Sequence, residues 1–175
     1  MNLDRGCYIL TDNDWPWARE TNEIVTADNP DLIKRLWDED TGEPFYKMGN
    51  ALRYERVGVA GLILARDRRQ DLAERIATIK GIDVFDPDEW ASWFCFVRPD
   101  MQRRGYGGIM FDNLMRMVDH RVANDETEIK HLVALTNNPL TINMAKEFEV
   151  LEGESTFPIH GRTVHNHTGL YKSLS

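Results

Sequence analysis

The stretch V-R-P-D-M-Q-R-R-G-Y-G-G, residues 97–108, stands between the apolar run W-A-S-W-F-C-F-V and the segment I-M-F-D-N-L-M-R-M-V. Glycines at such a seam are costly unless the backbone bends sharply or something must come close to it. A helix that starts directly after a strand leaves its first N–H groups unpaired at the positive end of its dipole, where phosphate sits well. Gly105, Gly107 and Gly108 would let the main chain wrap a pyrophosphate without side-chain clash, and Arg103 and Arg104 would add charge at the rim. The stretch is not a Walker loop, since no Gly-Lys-Ser/Thr follows, nor is it the G-x-G-x-x-G of dinucleotide binders. The bland alternative is a tight strand-to-helix turn that binds nothing.

Other residues with chemical potential are scattered. His165 and His167 share a face of a strand and offer two metal ligands, with His160 nearby, but no third ligand is obvious. They read as surface histidines, and no metal is expected. Cys95, inside W-F-C-F-V, reads as a small core residue rather than a nucleophile. Trp15, Trp17 and Trp37 lie among Asp12, Asp14, Glu20, Glu23, Asp38, Glu39 and Asp40. Aromatic walls with carboxylates suit a cationic amine; the duller account makes the tryptophans core and the acids solvated faces.

The elements that position these residues follow an α/β order. Cys7–Thr11 is a candidate first strand. D-N-D-W-P-W-A-R-E-T-N-E-I opens with helix-start chemistry, and P-D-L-I-K-R-L-W reads as a second short helix. Asn50–Arg56 and Val57–Ala65 are β-rich, as a hairpin around Val57-Gly58 or as one bent strand. Asp67–Ile79 has Leu72, Ile76 and Ile79 at helical spacing, with Gly81 as a stop. Trp90–Val97 is apolar on both faces, as a central strand must be, and Pro99 ends it. From Gly107 to Val122 the positions Met110, Phe111, Leu114, Met117, Val118 and Val122 form a helical stripe. His131–Thr136 is another buried strand. Asn138-Pro139 opens a helix with Leu140, Met144, Phe148 and Leu151 on one face, and Phe157–Ile159 with Val164–Leu170 reads as a closing hairpin around His160-Gly161.

Composition bounds the class. A chain of 175 residues is enough for one domain with a substantial core, and 42% apolar with 29% charged residues is ordinary for a globular protein. No stretch approaches the ~20 apolar residues of a membrane helix, and the N-terminus lacks a secretion signal. Two cysteines, Cys7 and Cys95, point to reduced thiols and a cytoplasmic setting. The net charge is −8, and residues 1–50 hold 5 basic against 11 acidic residues. That balance disfavours extended nucleic-acid binding and favours a cationic partner.

Val97-x-Pro99-x-x-Gln102-x-x-Gly105-x-Gly107-Gly108, between an apolar strand and an amphipathic helix, resembles the acetyl-coenzyme A signature of the GNAT superfamily N-acetyltransferases. Within F-C-F-V-R-P-D-M-Q-R-R-G-Y-G the likeness is greatest to the histone acetyltransferase branch. The following strand, Asn138-Pro139 and the segment M-A-K-E-F-E-V agree with the family's second half. The resemblance covers residues 89–150 firmly and 50–66 loosely. It implies a single domain over 1–175. The implied fold is α/β of the α+β type: a mixed, mostly antiparallel central sheet of about seven strands, with helices on both faces and a splay between strands 4 and 5. The implied activity is acetyl transfer from acetyl-coenzyme A to a primary amine of a small molecule or protein, with a homodimer compatible. The alternative is a coenzyme A-binding or regulatory module that has lost transfer. By the same carry-over, main-chain N–H groups of Gln102, Arg103, Arg104, Gly105, Tyr106, Gly107 and Gly108 hold the pyrophosphate. Phe96 and Val97 pair with the pantetheine arm, and Asn138 contacts the cofactor. The family's tyrosine acid falls on Ala145 and the histone-branch base on Ala91. Glu89 stands in as a base through water or is a solvated strand-end carboxylate, and Tyr171 is the candidate replacement acid.

Overall fold

A computed structural model describes residues 58–97, 103–159 and 161–174. The expected first strand, the first two helices, the tryptophan–carboxylate cluster, Gln102 and His160 lie outside the described residues. The described chain divides into two compact units, 58–62 with 94–97 and 103–127, and 63–93 with 128–159 and 161–174.

Seven strands occur among the described residues: β1 Gly58–Leu64, β2 Trp90–Val97, β3 His131–Thr136, β4 Glu149–Leu151, β5 Phe157–Ile159, β6 Arg162–Val164 and β7 Thr168–Ser173. The described residues do not establish the expected count of about seven strands in one central sheet. Five form a sheet in the order β1-β2-β3-β7-β4, and β5 with β6 form a separate ribbon. The β2–β3 pair is parallel, whereas β3–β7, β4–β7 and β5–β6 are antiparallel. The sheet is thus mixed and mostly antiparallel. Trp90, Ala91, Ser92 and Trp93 are all buried, so this part of β2 is covered on both faces, as its unbroken apolar run requires.

In the second unit, helix α1 (Gln70–Ile79) follows a single π-type turn at Ala65–Arg69. Its buried residues Leu72, Ala73, Ile76 and Ala77 recur at helical spacing and pack with Trp90, Val133, Leu151, Phe157 and Tyr171. Leu72 and Ile76 are fully buried, worth roughly 1.5–3 kcal/mol each. Asp71, in the first turn, accepts from its neighbour Leu72 N and from Gly161 N at the tip of the β5–β6 ribbon, both at 2.9 Å. Arg75 pairs with Glu154 at 3.2 Å. The ribbon is therefore tied to α1 by apolar packing and by the Asp71–Gly161 link, and the segment before it by the Arg75–Glu154 pair. Its ring of Phe157 presses on β7 where Gly169 makes room: an added Cβ there would lie 2.8 Å from Phe157 Cζ.

In the first unit, helix α2 spans Tyr106–Ala123 and buries Phe111, Leu114, Met115 and Val118. The expected stripe omitted Met115 and gave Met117 a core position it holds only in part. The last turn carries His120 and Arg121, which suit the negative end of the dipole. Asn124 Nδ2 donates to His120 O at 2.7 Å and closes the end.

Helix α3, Pro139–Met144, starts where Asn138-Pro139 predicts, but it is only one and a half turns long. The expected run of one helix through Phe148 to Leu151 is corrected. Ala145, at φ −92° and ψ 52°, ends the helix, and Glu149–Leu151 becomes β4 on the edge of the sheet. The closing hairpin is also redrawn: β5 pairs with β6, while β7 leaves the ribbon and inserts between β3 and β4.

Candidate functional site

The seam between β2 and α2 has the backbone expected of a sharp strand-to-helix entry. Arg103 has φ 67° and Gly105 has φ 87° with ψ 0°, both left-handed. Arginine seldom adopts that conformation, while glycine does so freely. Gly105 is the N-cap, no side chain caps the helix, and the first turn holds no acidic residue. Among the described residues, neither the N-cap side chain nor a first-turn carboxylate, the usual devices at that end, serves the mouth of α2. Arg103, Arg104 and Gly105 are exposed, and Gly107 and Gly108 are partly so.

Gly108 is the informative glycine. Its φ lies outside the left-handed range, and a Cβ added to it would meet no protein atom within 4 Å. Neither backbone conformation nor packing within the protein calls for glycine there. A glycine inside a helix costs about 1 kcal/mol relative to alanine, so its presence needs another reason. Clearance for something outside the protein is such a reason.

Behind the mouth, Cys95 on β2 places Sγ 3.7 Å from the carbonyl oxygen of Gly107. That contact joins the end of the strand to the first turn of α2. Burial pushes the Cys95 thiol up to about 12, so it stays protonated and unreactive. The residue identified from sequence as core filler is thus also the seat of the glycine turn. The sequence signal was there: a small, weakly donating side chain two residues before the strand end. Phe96 and Val97 close β2, as expected.

The remaining candidates sit in the second unit. Asn138 is the N-cap of α3, its side-chain oxygen accepting from Leu140 N at 3.0 Å. Glu89 is not on the strand. It ends a single 3₁₀ turn, Pro87–Glu89, that Asp86 caps by accepting from Asp88 N. Its carboxylate meets Lys130 Nζ at 2.6 Å, and that hydrogen bond raises the lysine's pKa. Tyr171 is buried on β7. Its hydroxyl lies 2.8 Å from His131 Nδ1, and Lys80 Nζ sits 5.3 Å from its ring centroid. Burial raises the Tyr171 pKa, so the phenol keeps its proton across the neutral range.

The structure thus brings Tyr171 to Trp90, the first residue of β2, with ring centroids 5.8 Å apart. Ala145 and Ala91 are buried, and neither offers a polar atom beyond the backbone. His165 Nδ1 lies 3.3 Å from Thr156 Oγ1 and His167 Nδ1 is 2.7 Å from His165 O. No group of three potential metal ligands occurs among the described residues. No described helix is long and apolar enough to cross a membrane. His131, which sequence reasoning passed over, is the residue that joins Trp90 to Tyr171.

No protein-family model matches the chain, and no curated protein matches it. Solved structures of acetyltransferases do. An aminoglycoside acetyltransferase AAC(6')-Ib, in complex with coenzyme A and kanamycin, is 14% identical with a TM-score of 0.47, covering 96% of this chain and 94% of that one. A GNAT superfamily phosphinothricin acetyltransferase from Sinorhizobium meliloti, in complex with acetyl-coenzyme A, is 13% identical with a TM-score of 0.46, over 98% and 89% of the two chains. The ribosomal L7/L12 α-N-protein acetyltransferase RimL, in complex with coenzyme A, is 13% identical with a TM-score of 0.40, over 68% of this chain. The match spans 56% of that chain, just over half its length. At such scores the superposition is loose.

Proposed function

We propose that the protein is an acetyl-coenzyme A-dependent N-acetyltransferase, one domain over 1–175, acting on a primary amine of a small molecule or protein by direct attack on the thioester. The observation that carries this reading is the mouth of α2. Among the described residues it has a left-handed glycine as N-cap with no side-chain cap, no first-turn acid, and a further glycine at Gly108 whose added Cβ would meet no protein atom within 4 Å. An anionic diphosphate is the ligand such an opening fits. In this reading the main-chain N–H groups of Gln102 through Gly108 hold the pyrophosphate, with Arg103 and Arg104 at its rim. Phe96 and Val97 pair with the pantetheine arm and polarise the acetyl carbonyl, and Asn138 contacts the cofactor. The splay between β2 and β3 belongs to the same proposal. Its support is that their register covers only Trp90–Ser92 against His131–Val133.

Attack by a neutral amine forms the amide carbon–nitrogen bond and breaks the carbon–sulfur bond. The amine's proton goes to a base, and the thiolate takes a proton from an acid. Glu89, through water, and Tyr171 are the proposed pair. In favour of Tyr171 is a phenol that burial keeps protonated.

A second reading is a coenzyme A-binding module without transfer, favoured by the buried alanines at positions 91 and 145. Calorimetric titration with coenzyme A and acetyl-coenzyme A, followed by thiol release with a panel of amines, tests both. Binding with turnover supports the transferase. Binding without turnover on every amine selects the module, and no binding at millimolar ligand overturns both.

A further inference from the structure

At one end of the sheet, three aromatic side chains from three neighbouring strands stand in a row. Trp90 and His131 are register partners on β2 and β3, and their rings stack with centroids 4.2 Å apart. Tyr171, on β7, reaches across with its hydroxyl 2.8 Å from His131 Nδ1, although its own register partner is Val133. The imidazole is thus the middle of a bridge spanning β2, β3 and β7. Tyr171 is buried but His131 only half-buried, so the ring connects an enclosed hydroxyl with the surface. The contact can run in either direction. With its hydrogen on Nδ1 the ring donates to the phenol oxygen, and with its hydrogen on Nε2 alone it accepts the phenol O–H. Only the first arrangement leaves the phenol hydrogen free for a third group, as an acid requires. Burial is the largest influence on the phenol and keeps it protonated at rest, while the hydrogen bond with Ser173 and the charge of Lys80 favour the phenolate. The Lys80 ammonium lies 5.3 Å from the ring centroid, and its pairing with Glu149 offsets part of that charge.

We propose that His131 serves the reaction through Tyr171, as a positioning residue whose Nδ1–H holds the phenol oxygen and returns the proton that the phenol gives away. The inference rests on the role proposed above for Tyr171 as the acid. When the departing thiolate takes the phenol hydrogen, the O–H bond breaks and a phenolate is left against Nδ1–H. The Nδ1–H bond then breaks, a new phenol O–H bond forms, and a proton from solvent adds to Nε2. The ring ends neutral in its other tautomer, and exchange of its N–H hydrogen with water resets it. No oxidant or reductant takes part. The stack on Trp90 and the half-exposed edge of the ring supply the two things such a relay needs, a fixed orientation and a path to water.

Two measurements test this. Nitrogen-15 spectra of the full chain without cofactor, at a pH where the ring is neutral, should show His131 carrying its hydrogen on Nδ1. A ring protonated on Nε2 alone would overturn the relay. The resonance is assigned without a variant at 131, because His120, His160, His165 and His167 can be removed in turn. The second measurement is thiol release from acetyl-coenzyme A with the best acceptor of the amine panel, in the first turnover and in the steady state. His131→Phe keeps an aromatic ring on Trp90 and removes the relay. Its steady-state rate should fall about tenfold more than its first turnover, which starts from a phenol already protonated, and imidazole in the buffer should restore the loss. Equal slowing of both phases without rescue by imidazole is the mark of a merely structural role and would overturn the relay. A parental steady-state rate in His131→Phe, beside a loss of about 100-fold in Tyr171→Phe, would sink the relay and leave the acid standing. A parental rate in Tyr171→Phe, or no turnover with any amine, would remove the acid and the relay with it.

Discussion

Replacing Gly108 by aspartate should make the protein more stable and a poorer binder of coenzyme A at the same time. Gly108 is the third residue of α2, and a side chain there meets no protein atom within 4 Å. Aspartate removes part of the glycine penalty, a few tenths of a kcal/mol, and places a negative charge in the first turn, worth about 0.3–1 kcal/mol. Together these give about 1 kcal/mol, or roughly 2–4 °C in Tm for a chain of this size. A diphosphate at the helix mouth would lie about 6 Å from that carboxylate. With the dielectric of bulk water, each phosphate charge then contributes about 0.7 kcal/mol of repulsion and the two about 1.4 kcal/mol, which is tenfold in Kd. A less polar surrounding only enlarges the effect. Gly108→Asn, of the same size and uncharged, is the control. Calorimetric titration and thermal melts of both variants provide the numbers, and the gap in Kd should narrow as salt is raised. If Asp and Asn variants bind coenzyme A within twofold of each other while the Asp variant melts higher, no diphosphate sits at α2 and the reasoning fails.

Gly169→Ala should destabilise by about 1–3 kcal/mol, because the new methyl would lie 2.8 Å from a fully buried phenylalanine ring; an unchanged Tm within 1 °C of the parent would contradict that packing. In a Cys7→Ser background, Cys95 should react with an aromatic disulfide at pH 8 at least tenfold more slowly in folded than in urea-unfolded protein, since its thiol is pushed up to about 12; equal rates would remove the account of its burial. Glu89→Gln and Tyr171→Phe should each lower thiol release by about 100-fold with coenzyme A affinity unchanged, the ordinary worth of a general base or acid. Rates within twofold of the parent would take both residues out of the chemistry and leave the backbone alone to carry it.

What the sequence discloses here depends on the range of the interaction involved. Trp90–Val97 and His131–Thr136 were legible as strands because burial on both faces leaves an unbroken apolar run, and α2 because Phe111, Leu114 and Val118 keep helical spacing. Asn138-Pro139 marked the start of α3 through local chemistry alone, a side-chain oxygen on the N–H of Leu140. The end of that helix was not legible. Leu140, Met144, Phe148 and Leu151 also fit a helical period, yet Leu140 is exposed and Leu151 joins the core cluster that holds Phe157 of the ribbon. No glycine or proline marks the break at Ala145; pairing of β4 with β7 imposes it. For the candidate site, the glycine seam was readable because its chemistry lies within a few residues. The Trp90–His131–Tyr171 bridge was not, because it exists only once β2, β3 and β7 are in register.

The carboxylate of Asp71 has a consequence for how this chain leaves the ribosome. Its second partner, Gly161 N, lies 90 residues downstream, and the rings and methyls that cover Leu72 and Ile76 come partly from Phe157. At about 5–20 residues per second, several seconds separate the synthesis of α1 from that of the segment that shields it. During that interval one side of the helix stays wet and adhesive. Chaperone capture of nascent chains should accordingly peak at lengths where α1 has emerged and β5 has not.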